Sequence, residues 1–142
     1  NVIKSEESGS TADTLQIVGR VYALCGDLKK AISSSKNALK LVPNDTGWFV
    51  TGALVMNLYE TGQIEEIYKL IGENIEAKDM DQNVLAIYAF LEHKKGNKEL
   101  AEEYLSRAKN SGFSRVRLER LILNKELREE TIKGLMEIGT LE

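Results

Sequence analysis

The sequence is poor in the residues that carry most protein chemistry. Among 142 residues there is one cysteine, Cys25, and one histidine, His93. A lone thiol forms no internal disulfide, and a reducing, cytoplasmic home is the default for such a chain. Structural zinc takes about four Cys or His ligands, so these two residues exclude a zinc framework. There is one proline, which leaves long stretches free to be helical and favours an all-α chain. No run approaches the roughly 20 apolar residues of a membrane span, and no signal-peptide pattern opens the sequence. The net charge of -3 offers no basic face to nucleic acid. No Gly-rich phosphate loop, Walker-type lysine or Ser-His-Asp order appears, so no cofactor is expected.

What the sequence does have is a recurrence. Gly26-Asp27-Leu28-Lys29-Lys30-Ala31 returns as Gly62-Gln63-Ile64-Glu65-Glu66-Ile67 and as Gly96-Asn97-Lys98-Glu99-Leu100-Ala101, with the glycines 36 and then 34 residues apart. A period of that length marks a helical array. Each glycine follows one amphipathic stretch and precedes another, the pattern of a helix–turn–helix unit.

Residues 1–10 are polar with little periodicity and read as a flexible lead-in, with Ser10 and Asp13 resembling a helix-capping pair. A first helix is expected over about Ala12 to Cys25, with Leu15, Val18, Val21 and Tyr22 forming its apolar face. Gly19 inside it calls for a close-packed neighbour, because glycine there costs about 1 kcal/mol against alanine. Gly26 ends that helix and Asp27 caps the next. The second helix reaches about Leu41, with Leu28, Ala31, Ile32, Ala38, Leu39 and Leu41 inward. Pro43 stops it, and Asn44-Asp45 can start the next helix. The second unit keeps Leu54, Leu58, Gly62, Ile64 and Ile67, but Gly72 interrupts its second helix, which should be short or irregular. The third carries Leu85, Tyr88, Ala89, Gly96, Ala101, Leu105 and Ala108, with Asn97 as a cap. After Gly112 the period stops. Val116, Leu118, Leu121 and Ile122 suggest one short helix. Ile132, Leu135, Met136 and Ile138 suggest another, ending at Gly139. A helical array leaves its last apolar face uncovered, so a terminal cap is expected.

Leu15, Val18, Gly19, Tyr22, Gly26, Ala31, Ala38 and Pro43 fall on eight signature positions of the tetratricopeptide repeat, which this chain resembles. Ser35 departs from the pattern, and so does Glu92 in the third unit, where a tyrosine is common. The resemblance implies an all-α, TPR-like superhelix over residues 11–142: three repeats at about 12–45, 48–81 and 82–112, then capping helices over about 114–139. The tail, Phe113-Ser114-Arg115-Val116-Arg117-Leu118 and Gly134-Leu135-Met136-Glu137-Ile138-Gly139, also resembles the C-terminal repeat region of bacterial class III adenylate cyclases. That second likeness implies a regulatory or oligomerisation tail of a larger bacterial protein. The chain opens on Asn1 rather than methionine, which fits a fragment or a processed product.

The repeat family binds protein segments in a concave groove lined by the first helix of each unit. Carried over, the groove positions are Gln16, Arg20, Phe49, Met56, Tyr59, Phe90 and His93, an aromatic and apolar set with one cation. Such a surface suits an extended or helical peptide. The alternative is that the capping helices or the chain's own ends fill it, or that a second copy does, so a homodimer stays open. The family's carboxylate clamp is not matched, since its positions hold Gln16, Arg20, Ala53, Asn83 and Ile87. Catalysis is not expected: Cys25 and His93 each precede a turn glycine, two units apart, whereas a nucleophile and its base need hydrogen-bond reach. Lys29, Lys30, Lys36 and Lys40 make the second helix basic, and residues 60–81 are acidic. These read as solvated faces with contacts between neighbouring repeats, the alternative being a docking surface for a charged partner.

Overall fold

The computed structural model describes residues 2–42, 49–73 and 80–141, with side chains from residue 11 onward except that of Phe49. Among the described residues there are eight helices and no strand. The chain divides into two compact units, Asn1–Asp79 and Met80–Glu142.

The first unit holds α1 (Val2–Leu24), α2 (Leu28–Leu41), α3 (Phe49–Glu60) and α4 (Ile64–Gly72). α2 packs on both α1 and α3, and α3 packs on α4. The turn at Gly26 explains why the chain reverses there. Gly26 has φ 84°, and its N–H donates to Ala23 O at 3.0 Å while Asp27 N–H donates to Tyr22 O at 2.8 Å. That bond pair satisfies the orphan carbonyls of α1 and needs a left-handed residue, which glycine supplies without steric cost. Asp27 then caps α2 by accepting from Lys30 N–H at 3.2 Å. The same bond pair recurs with Gly62 and Gln63, with Gly96 and Asn97, and with Gly112 and Phe113.

α1 differs from its expected form in two ways. It runs back to Val2, through the polar stretch read as a flexible lead-in and through Ser10, read as a cap. No proline interrupts residues 2–12, and an established helix propagates at one bond per residue. Its buried side is also not the expected one. Ala12, Gly19 and Ala23 are buried, Leu15 and Tyr22 are half-buried, and Val18 and Val21 are exposed. The reason lies in α2. A Cβ on Gly19 would stand 3.3 Å from Ser34 Cβ and 3.4 Å from Ala31 O, so small residues let the two backbones approach closely. Ser35, the departure from the repeat pattern, is buried and accepts a hydrogen bond from Asn57 Nδ2 of α3 at 3.2 Å.

α2 ends at Leu41, which is exposed rather than inward. Val42 N–H donates to Ala38 O at 3.2 Å as the helix closes. Pro43, Asn44 and Asp45 lie outside the described residues. α4 stops at Gly72 after nine residues, short as expected. Lys36 of α2 and Glu66 of α4 pair at 3.2 Å, a contact within the first unit between the expected first and second repeats. The core of this unit includes Val50, Leu54, Val55, Leu58, Ile67 and Ile71.

The second unit holds α5 (Gln82–Lys94), α6 (Lys98–Asn110), α7 (Arg115–Leu121) and α8 (Lys125–Ile138). α5 packs on α6, and α8 lies against both of them and against α7. Asp81 caps α5 by accepting from Asn83 N–H at 2.8 Å and Val84 N–H at 3.0 Å. Asn97 stands before α6 but makes no side-chain cap. Its Nδ2 donates instead to Glu92 at 2.6 Å. Glu92 is buried where the repeat pattern expects a tyrosine, and a buried carboxylate must be hydrogen-bonded; Asn97 is drawn off its cap to meet that need. Asn124 caps α8 by accepting from Leu127 N–H at 2.9 Å, placing its start well before the apolar residues seen in the sequence. Leu118, Ile122, Ile132 and Leu135 are buried, whereas Val116 and Met136 are exposed.

Candidate protein-docking surfaces

The residues read as groove-lining fall into different environments in each unit. In the first unit, Gln16 and Arg20 are half-buried on α1, while Met56 and Tyr59 are buried on α3. Phe49 opens α3, but its side chain lies outside the described part. In the second unit, Phe90 is buried and His93 is half-buried. The aromatic and apolar members with described side chains are therefore not open surface.

What covers Phe90 is α8. Gly134 sits so close that a Cβ there would run into Phe90 Cε1 and Cδ1. On either side of this contact, His93 Nε2 lies 2.8 Å from Glu137 Oε2, and Lys94 Nζ donates to Glu130 Oε1 at 3.0 Å. The Lys94 ammonium also lies 5.6 Å from the centre of the Phe90 ring, within reach of a cation–π attraction.

Open apolar surface lies elsewhere. On α1, Ile17 is 65% exposed, Val21 53% and Leu24 62%. Their spacing of four and three places them on one stripe, roughly opposite the Ala12, Gly19 and Ala23 side that meets α2. Val18 and Cys25 flank the stripe and are exposed as well. The amphipathic pattern marks α1 as a helix, but it does not distinguish a face turned inward from one turned to solvent. The signal that could do so is the small-residue row at 12, 19 and 23, which marks close helix approach.

A second open feature is a cleft of about 620 Å³ beside α7 and α8. Ile132 and Met136 supply its apolar part, and Arg115 and Glu119 line it as well. Arg115 Nε donates to Glu119 Oε1 at 2.6 Å. Three cations and three carboxylates line the cleft in all, so it carries no charge preference for a phosphate or a carboxylate.

His93 is held by Glu137 in the second unit, and Cys25 is exposed at a turn of the first. Among the described residues, no group of three His, Cys, Asp or Glu side chains is placed to hold a metal ion. No helix among them is long and apolar enough to cross a membrane. Neither a protein-family model, nor a curated protein, nor a solved structure matches this chain.

Proposed function

We propose that this chain is a tetratricopeptide-like interaction module that docks a protein or peptide segment on its helix surfaces and performs no catalysis. The observation that carries this reading is the exposed stripe of Ile17, Val21 and Leu24. Scattered apolar residues are ordinary on a protein surface, but a contiguous apolar patch marks an interaction site. Three successive turns along one helix present an i, i+4, i+7 anchor pattern, which suits packing against another helix. The turn geometry repeated at residues 26, 62 and 96 supports the repeat resemblance that first suggested docking. A place within a larger bacterial protein, as the tail resemblance implies, is compatible with this role.

A second reading is favoured by the Gly134–Phe90 contact: the groove face of the third repeat is occupied by the chain itself. The two readings assign different surfaces to an external partner. The test is capture of partner proteins by wild type and by an Ile17→Ser, Val21→Ser, Leu24→Ser variant. These positions are exposed, and surface substitutions of this kind usually change stability by no more than about 0.5 kcal/mol, so helicity should persist. Loss of the captured proteins is the expected result. Unchanged capture removes α1 as the docking surface.

A further inference from the structure

The position of α8 bears on how the docking face of α5 is controlled, and this control rests on the docking reading above. We propose that α8 is an internal occupant of that face, displaced when a partner presents an acidic amphipathic helix with a small residue between two carboxylates.

Phe90, His93 and Lys94 are three and four residues apart and share one face of α5. Against them α8 presents Glu130, Gly134 and Glu137, four and then three residues apart, which is one face over two turns. The two sets are complementary in detail. The Phe90 ring occupies the space where Gly134 lacks a side chain. Glu137 meets His93 at 2.8 Å, and Glu130 accepts from Lys94 at 3.0 Å. An interior glycine weakens the helix that carries it, and here the Phe90 ring leaves no room for a Cβ.

The charged side chains sit at the rim. Glu130, Glu137 and Lys94 are each 54% exposed. Rim pairs of this kind set register and selectivity more than strength, and solvent already reaches them. The buried part of the contact with α5 is the Phe90 ring against Gly134. A displacing helix must therefore bring the small residue as well as the two acids, and this combination narrows the partner class to helices patterned like α8.

The probe is a fluorescently labelled peptide with the sequence of residues 125–138. It is titrated against the full wild-type chain and against a full-chain Glu130→Lys, Glu137→Lys variant, which leaves α5 intact and weakens the resident helix. The peptide should bind the variant at least about tenfold more tightly, because the wild type spends part of its binding free energy opening its own contact. A Gly134→Leu peptide should bind neither chain. Equal affinity for both chains, or no binding to a variant of wild-type helicity, overturns the proposal. Should the variant lose helicity, hydrogen exchange on the wild type decides. Amides of α8 exchanging at least about tenfold faster than those of α5 and α6 support a local opening, and one shared cooperative rate overturns it. A chain that binds the peptide yet captures no partner protein keeps the internal occupant and loses the docking reading. A chain that captures partners through α1 while its opened variant rejects the peptide loses the internal occupant alone.

Discussion

Tyr88 shows how one side chain answers to its surroundings. Its ring meets Tyr104 edge-on, with centres 4.6 Å apart. Burial pushes its phenol up to about 12, and the Glu92 carboxylate, Tyr104 and a hydrogen bond to Glu92 push in the same direction. The folded protein therefore holds this proton more tightly than the unfolded chain, whose phenol keeps the ordinary value of 10.0. That contribution to stability is present in full below pH 10 and is lost as pH rises through about 12, because the unfolded state gives up its proton first. Tyr88→Phe should flatten this alkaline loss. Urea unfolding at a series of pH values, together with a tyrosinate absorbance titration, checks it. A wild-type Tyr88 that ionises with the other tyrosines would show that the burial is not maintained in solution.

At the scale of helices and turns, the glycines separate two physical effects. Gly96 has φ 84° and nothing within 4 Å of an added Cβ, so Gly96→Ala meets only backbone strain, about 1–2 kcal/mol. Gly72, at the end of α4, also has open space but no left-handed backbone, and Gly72→Ala should stabilise by up to about 1 kcal/mol through helix propensity alone. Urea midpoints should therefore move in opposite directions for the two variants. The turns are legible in the sequence because a left-handed residue followed by a capping pattern is a local requirement, written into residues 26, 62 and 96. Helix type and the shortness of α4 are legible for the same reason. The inward side of α1 is not, because it depends on which neighbour packs closest, and Ser34 and Ala31 of α2 settle that at Gly19. Asn97 has the sequence of a cap and does other work, because the need it serves arises at Glu92, a carboxylate whose burial no local pattern announces. Of the expected groove, the positions on α5 are legible as one helix face. A covering by the capping helices is a stated alternative, but the contact that makes it is not legible, since it depends on Gly134, 44 residues further along the chain.

Among the described residues, some apolar surface is covered by the chain itself and some is left open. Phe90 and His93 are engaged by α8, whereas Ile17, Val21 and Leu24 meet solvent. With Val18, these place four exposed large apolar residues on α1, and the central claim is that another polypeptide contacts them. Site-specific photocrosslinking in extract of the native host tests this most directly, with the photoreactive residue at position 21 and, as a control, at exposed position 37 on α2. Discrete protein adducts from position 21 that are missing from position 37 are the predicted result. No adduct from position 21 in a chain of wild-type helicity, or the same adducts from both positions, would contradict it.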